Sequence, residues 1–393
     1  MQIINRSKLP PAEKSELQLG YIRLTDAAPL IVAKEQGLFA QLGLDVTLRR
    51  EVSWANLRDK IAVGTLDAAQ MLAPLPLATA LGIGGMRADM VTGLALSLNG
   101  NAITVSAALA ECLQLLGAAP EKSAASSAHA LRKWLQEDSR SLTLASSHSF
   151  SCHTIQLRWW LRSAGIDPDR DLKIIVLPPE QMVDSLARGV IDGFCVGEPW
   201  NSIAVQHGIG AVQASGYQVC NNMIEKVLGV TQHWHNHHPA THLRLRIALM
   251  LACQWLAEED NRLLAADLLA RPEYLDLPVH QLRPSLSGDF QYSKHSGLIK
   301  LPHFHVFGRF QAGFPWRSTA ESLLAECNKM LGRRATIEET RALVQQTYRT
   351  DLYREAARYL GMAYPEHDYL PDSAHSTAWE MAPGVELGPN ERL

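Results

Sequence analysis

Two parts of the chain repeat the same order of residues, and this repeat restricts the folds that the chain can adopt. Residues 57–74 and 182–199 each place apolar side chains at matching offsets before a glycine, followed by an aspartate and then a proline. The matching pairs are Gly64 and Gly189, Asp67 and Asp192, and Pro74 and Pro199. A helix that ends at a glycine and then passes into a buried strand produces this pattern. We therefore predict two copies of one structural unit.

Each copy extends upstream with the same alternation of elements. Residues 17–22 and 142–145 are predicted strands, and predicted helices begin near Thr25 in the first copy and Ser151 in the second. Alternating strands and helices predict a parallel sheet with helices on both faces. Two such units predict an α/β protein with two lobes. The expected ligand cleft lies at the carboxyl ends of the strands, beside helix N-termini that attract anions.

The predicted domain boundaries follow from this repeat and from a change to long helical periodicity after about residue 231. We expect the helical part to pack back on the first lobe, because a chain that crosses twice between lobes forms a hinge. The predicted divisions are a flexible arm at 1–16, a first lobe at 17–98 plus 222–364, a second lobe at 99–221 and a C-terminal tail at 365–393. The tail is rich in Pro, Gly, His and acidic residues, so we expect loose packing.

Composition excludes several classes of protein. The 393 residues include 37 basic and 40 acidic side chains, and the net charge of −3 disfavours direct nucleic-acid binding or a polybasic membrane anchor. No run approaches the ~18–20 apolar residues of a membrane span, and the first residues lack the apolar segment of a secretory signal. If Met1 is the natural start, these features predict a cytoplasmic protein. The six cysteines form no CxxC pair, which predicts reduced thiols and excludes a CxxC-type zinc site.

Several ordered motifs between about residue 17 and residue 330 resemble the nitrate-binding family of ABC-transporter solute receptors. The motifs are LTDAAPL at 24–30, SWANLRDK at 53–60, LDAAQMLAP at 66–74, LNGNAIT at 98–104, DGFCVGEPW at 192–200 and EKVLG at 225–229. The family includes nitrate/nitrite and bicarbonate receptors. The resemblance implies a bilobal type II periplasmic-binding-protein fold with a helical C-terminal portion.

The receptors of this family are exported, usually behind a signal sequence with a lipid-anchoring cysteine, and neither feature is found here. In this respect the chain resembles the cytoplasmic nitrate/nitrite sensors of the NasS type. The resemblance implies a protein that holds an RNA-binding antiterminator with an ANTAR domain and releases it when nitrate or nitrite binds. The alternative is a solute-binding receptor of a nitrate/nitrite or bicarbonate ABC transporter.

An enzyme is the weakest hypothesis. Cys152 beside His153 suggests a nucleophile and a base, but adjacent helical residues point about 100° apart. The sequence contains no Gly-rich phosphate loop and no GxSxG elbow. We therefore predict no catalytic residues and no cofactor.

Lys226 is the leading candidate for holding the anion, since the resemblance aligns it with the family's anion-contacting lysine. The alternative is a surface lysine paired with Glu225. His153 lies at a predicted helix N-terminus, where its ring N–H and the backbone N–H groups can donate to an anion. Asn101 offers two amide donors at the predicted crossover between lobes, where transport receptors of the family often carry Gln. Asn is one methylene shorter than Gln, so its amide reaches less far.

The remaining candidates line the predicted cleft. Trp54 follows a predicted N-cap, and its indole can donate a hydrogen bond and exclude water; the alternative is a core tryptophan. Val196 ends a predicted strand and Gly197 follows it, at a position where glycine lets backbone approach a ligand. Glu198 repels an anion, so we expect it to position Lys226 or to help close the lobes; the weaker contact candidate is Pro179.

A histidine-rich run at residues 233–238 raises the possibility of a metal site. His233 and His237 have the spacing that places two side chains on one helix face, but no carboxylate or cysteine accompanies them at ligand spacing. We predict a solvated face and no metal.

Overall fold

The computed structural model describes residues 9–137, 140–371 and 374–393. Within them the strands are β1 (Glu16–Ile22), β2 (Asp45–Glu51), β3 (Ala68–Leu72), β4 (Met90–Val91), β5 (Ala95–Asn99), β6 (Asn101–Ser106), β7 (Thr143–Ser146), β8 (Lys173–Val176), β9 (Gly193–Gly197), β10 (Gly210–Ser215), β11 (Ile224–Thr231), β12 (Asp289–Phe290), β13 (Ile299–Lys300), β14 (His305–Val306), β15 (Trp379–Ala382) and β16 (Val385–Leu387).

The helices of the described residues are α1 (Ala28–Glu35), α2 (Leu38–Gln41), α3 (Trp54–Ala62), α4 (Leu75–Ala80), α5 (Ala107–Leu115), α6 (Ala124–Glu137), α7 (Cys152–Ser163), α8 (Met182–Ala187), α9 (Trp200–Gln206), α10 (Gly216–Val219), α11 (Gln232–His237), α12 (Pro239–Trp255), α13 (Glu259–Leu269), α14 (Val279–Ser287), α15 (Arg317–Met330), α16 (Ile337–Thr347) and α17 (Thr350–Leu360). Short 3-10 turns at Thr25–Ala27 and Pro179–Gln181 precede α1 and α8. No helix among the described residues is long and apolar enough to cross a membrane.

Two separate sheets form the two lobes. The first-lobe sheet has the order β14-β5-β11-β3-β1-β2, with β4 paired to β11, and the second has the order β10-β6-β9-β7-β8. Within each repeat the strands are parallel, as predicted: β1 pairs with β2 and β3, and β7 pairs with β8 and β9. The crossover strands β5, β6, β10 and β11 add antiparallel pairs, so each complete sheet is mixed.

The repeat also preserves individual hydrogen bonds. Asp67 Oδ2 accepts from the backbone N–H of Gln18 at 2.8 Å, and Asp192 Oδ2 accepts from that of Thr143 at 2.8 Å. In both copies the backbone N–H of the aspartate donates to the carbonyl of the same partner. The two glycines that end α3 and α8 both adopt positive φ, as a glycine after a helix C-cap does. The two segments are therefore structural copies.

The chain passes to the second lobe between β5 and β6 and returns between α10 and β11. We propose the domain boundaries at these crossovers. The C-terminal helices return to the first lobe, where α12 packs against α1, α2 and α17.

Both ends of the described chain are packed more closely than their sequences predict. Residues 1–8 of the predicted arm lie outside the described residues, but Lys14 Nζ lies 2.6 Å from Asp67 Oδ1 in the first lobe. In the tail, β15 and β16 form a hairpin with Leu387 buried. The backbone N–H of Leu393 donates to the carbonyl of Val219, which ties the tail to the second lobe.

Candidate functional site

A buried charge cluster lies where the two lobes meet. Lys226 is on the central strand β11 and is fully buried. Its Nζ lies 2.6 Å from Glu225 Oε1 and 2.8 Å from Asp26 Oδ2 in the turn after β1. The register between β11 and β5 shifts on both sides of Lys226, an irregularity that lets two consecutive side chains face the same space. Lys226 therefore does pair with Glu225, as in the alternative that treated it as a surface lysine, but the pair is buried in the interior.

Trp54 forms one wall of this cluster. It is the first residue of α3, which is capped by Ser53, whose Oγ accepts from the backbone N–H of Asn56. The Trp54 ring is fully buried, and Lys226 Nζ lies 5.4 Å from its centroid, within cation–π range. The indole Nε1 has no hydrogen-bond partner.

The second lobe contributes Asn101 and Gln156. The Asn101 side-chain amide donates to Glu225 Oε2 at 2.6 Å and to Gln156 Oε1 at 3.0 Å. The amide donors that we expected to face an anion therefore bind Glu225 and Gln156 in this structure. Asn101 Oδ1 and Gln156 Nε2, both buried, have no partner.

His153 lies in the first turn of α7, as predicted, and is fully buried. The helix is capped by Ser151, whose Oγ accepts from the backbone N–H of Thr154. The ring Nδ1 is 2.6 Å from Ser147 Oγ, and Nε2 is 3.2 Å from Glu225 Oε1. That second distance suits an ion pair if the ring is protonated, but Nε2 lacks an aligned hydrogen-bond partner.

Gly197 brings the backbone of the second lobe against the cluster. A Cβ added at this position would lie 3.3 Å from Asp26 Oδ2 and 3.5 Å from Asn101 Oδ1. The neighbouring Val196 is buried in β9 opposite Ala102. A glycine here therefore permits the close approach that the sequence suggested.

Glu198 lies beside the cluster, whereas none of the described contacts joins Pro179 to it. The Glu198 carbonyl accepts from the backbone N–H of Thr25 at 2.8 Å, which joins the two lobes, while its Oε2 accepts from the backbone N–H of Ser202. Asp26 and Glu225, rather than Glu198, are the carboxylates that pair with Lys226. Pro179 is buried at the start of its 3-10 turn.

The cluster shifts the ionisation of its members. Burial would lower the pKa of Lys226, but Asp26 and Glu225 raise it above the ordinary lysine value. Burial would also raise the pKa of Glu225, yet Lys226 and His153 outweigh burial and lower it to about 2. For Asp26 burial dominates, and its pKa is raised despite Lys226. Lys226 and Glu225 are thus charged, and of the two carboxyls that contact Lys226, Asp26 gains a proton more readily than Glu225.

The unpartnered donors are the feature that points to a ligand. Trp54 Nε1 and Gln156 Nε2 are buried without hydrogen-bond partners, and His153 Nε2 lacks an aligned one although it lies 3.2 Å from Glu225 Oε1. A buried polar group without a partner costs about 1–3 kcal/mol. Together with the buried Lys226 ammonium group, these nitrogens suit a small ligand that accepts several hydrogen bonds.

Four members of the cluster were not among the predicted ligand residues: Asp26, Gln70, Gln156 and Glu225. Gln70 Nε2 donates to Asp26 Oδ1 at 2.5 Å. Three of the four did carry a sequence signal, because Asp26 lies in the LTDAAPL motif, Gln70 lies in the LDAAQMLAP motif and Glu225 precedes the candidate lysine.

The structure supports neither the nucleophile nor the metal hypothesis. Burial and Glu225 raise the pKa of Cys152 well above its usual range, and its Sγ lies 3.3 Å from the carbonyl of Ile224. In the histidine-rich run, the rings of His233 and His237 are 4.2 Å apart. No group of three or more His, Cys, Asp or Glu side chains in the described part of the chain is arranged to hold a metal ion.

Residues 10–270 match the model of the NMT1-like family. The chain belongs to this family. Among its relatives is the nitrate/nitrite binding protein NrtA of Synechococcus elongatus, 32% identical over 89% of this chain and 79% of the relative. The nitrate import ATP-binding protein NrtC of Synechocystis is 39% identical over 97% of this chain, which spans only 54% of that relative.

A solved structure fixes the fold class. The crystal structure of the periplasmic nitrate-binding protein NrtA from Synechocystis matches this NMT1-like chain with a TM-score of 0.85 and 26% identity, over 97% of both chains. The predicted bilobal periplasmic-binding-protein fold is therefore confirmed.

Proposed function

We propose that the chain is a cytoplasmic nitrate/nitrite sensor that binds the anion between its lobes. In the absence of the anion it sequesters an ANTAR-type RNA-binding antiterminator that controls nitrate assimilation. The observation that carries the anion site is the buried Lys226 ammonium group, together with buried indole, imidazole and amide nitrogens that lack aligned hydrogen-bond partners. Kinship with NrtA, whose name describes nitrate/nitrite binding, supports the same ligands.

A small monovalent anion suits these groups. Burying it requires a counter-charge and several donors, since an unpaired buried charge costs several kcal/mol. Lys226 supplies the charge, while Trp54 Nε1, His153 Nε2 and Gln156 Nε2 supply hydrogen-bond donors from both lobes. An anion that bridges the lobes favours their closed arrangement by its differential affinity for the two states.

Titration calorimetry of the full chain tests the ligand. We expect saturable one-to-one binding of nitrate or nitrite, with no heat of binding from chloride. Bicarbonate belongs in the same series, because bicarbonate receptors are members of the resembled family. Binding of bicarbonate alone would replace the proposed ligand, and silence with all four anions would contradict an anion site.

The alternative function is a solute-binding receptor of an ABC transporter, and similarity to the binding protein NrtA is consistent with it as well. This chain is also similar to part of NrtC, whose name describes an ATP-binding protein. A domain similar to this chain therefore also occurs in a protein that is not named as a solute receptor. Capture of a purified ANTAR-domain protein by the immobilised chain separates the two hypotheses. A sensor captures it without nitrate and releases it with nitrate, because the coupling is reciprocal. A receptor captures none under either condition.

Replacing Trp54 by phenylalanine should weaken nitrate binding at least about tenfold. The change removes the Nε1–H donor but retains an aromatic wall, and a hydrogen bond to a charged group contributes roughly 1.5–3 kcal/mol. The free energy of unfolding should fall only by the cost of burying a smaller ring, since Nε1 has no partner in the protein whose hydrogen bond could be lost. Calorimetry and urea denaturation measure the two quantities.

Trp160→Phe is the matched control. Trp160 is equally buried, but its Nε1 donates to the carbonyl of Ala124 at 2.9 Å inside the second lobe. This variant should lose stability and keep its nitrate affinity. Equal nitrate affinities in Trp54→Phe and the unaltered chain would show that the indole N–H does not bind the anion.

A further inference from the structure

Two carboxylates share the single ammonium group of Lys226. The side chains of Asp26, Glu225 and Lys226 are at most 3% exposed, so water does not screen their charges. Glu225 also accepts from Asn101 and lies beside His153. Asp26 accepts only from Lys226 and Gln70 among the contacts described, and it is the less firmly held carboxylate.

The Asp26 carboxylate has the geometry of the proposed ligand. A carboxylate, a nitrite and a nitrate each carry one negative charge on a planar group with at least two oxygens. One Asp26 oxygen lies 2.8 Å from Lys226 Nζ and the other accepts from Gln70 Nε2 at 2.5 Å. Asp26 thus contacts the Lys226 ammonium group in the way that a small anion would.

Adding an anion without a proton would place a third negative charge in this space. Two like charges 4 Å apart repel by roughly 4 kcal/mol at an effective dielectric constant of 20. The titratable groups that face Asp26 are Lys226 and Glu225 on β11 and His153 on α7. Its other neighbours, Gln70 on β3 and Gly197 on β9, carry no charge.

We propose that Asp26 is a tethered competitor for Lys226, and that nitrate or nitrite enters the cleft with one proton from solvent, which neutralises Asp26. The protonated carboxyl then donates a hydrogen bond to the anion instead of competing with it. The raised pKa of Asp26, beside the lowered pKa of Glu225, identifies the acceptor of the proton. This inference rests on the proposed anion site and adds to anion binding the uptake of one proton by Asp26.

Calorimetry with nitrate between pH 6.5 and 8.5 tests the proton, because nitrate itself does not titrate there. In phosphate and Tris buffers, whose ionisation enthalpies differ, we expect the uptake of one proton per nitrate. The Kd should rise about tenfold per pH unit over the upper part of this range. Asp26→Asn should abolish the pH dependence and bind nitrate more tightly than the unaltered chain at pH 8.

Asp67→Asn is the matched control. Asp67 is a buried carboxylate paired with Lys14 at 2.6 Å, outside the cleft, so its loss should leave the proton uptake intact. Binding of nitrate without proton uptake, or uptake that persists in Asp26→Asn, would overturn the inference and leave the anion site standing. Failure of the unaltered chain to bind nitrate at any pH would instead overturn the proposed function. If Asp26→Asn does not fold, nitrate binding by the unaltered chain without proton uptake still overturns the inference.

Discussion

Replacing Lys226 by methionine should abolish nitrate binding and lower the free energy of unfolding by about 3–5 kcal/mol, because breaking a buried ion pair leaves uncompensated charge. Lys226 is the ammonium group that neutralises both Asp26 and Glu225, and all three side chains are buried. Urea denaturation at pH 7.5 measures the stability, and calorimetry measures the binding. Protonation of Asp26 in the variant would bring the loss toward the lower end of this range.

Two further variants separate the loss of charge from the loss of packing. The triple variant Lys226→Met with Asp26→Asn and Glu225→Gln removes the whole charge cluster, so it should recover much of the stability while still failing to bind nitrate. Lys300→Met is the surface control: Lys300 pairs with Glu259 at 2.5 Å, the two side chains are 46% and 54% exposed, and exposed pairs contribute about 0–1 kcal/mol. Nitrate binding by Lys226→Met with unchanged affinity would contradict the role of this lysine.

The two-lobed architecture was predictable because short-range sequence patterns determine the elements of the repeat. Glycines that end helices and apolar runs that form strands are set by nearby residues, and the structure reproduces them in both copies. The antiparallel placement of β11 between β3 and β5 was not predicted. This placement depends on how the chain packs when it returns to the first lobe, and no short-range sequence pattern predicts that packing.

The site was predicted in part for the same reason. Motifs and helix caps led to Trp54, His153, Gly197 and Lys226, which the structure brings to one place. Their role as ligand contacts remains a prediction. The pairing of Asp26 with Lys226 joins residues far apart in the sequence, so charge type alone could not identify it.

Replacing Glu198 by glutamine should stabilise the protein at pH 8 by roughly 3 kcal/mol, since each pKa unit between the folded and unfolded states corresponds to about 1.4 kcal/mol. Burial raises the pKa of Glu198 to about 7, even though the backbone N–H of Ser202 donates to it. A folded-state pKa above the unfolded value of 4.5 means that the contribution of Glu198 to stability is complete below pH 4.5 and is lost as the pH rises through 7.

The difference in unfolding free energy between Glu198→Gln and the unaltered chain isolates this effect. It should be near zero at pH 4.5, grow between pH 4.5 and 7, and stay constant above that. Taking the difference removes opposing contributions, such as that of His148, whose pKa burial lowers to about 4 and which destabilises the fold as the pH falls. The exposed Glu259→Gln should show no growing difference over this range. A flat difference for Glu198→Gln would mean that Glu198 is ionised at the junction of the lobes, where its backbone carbonyl holds Thr25.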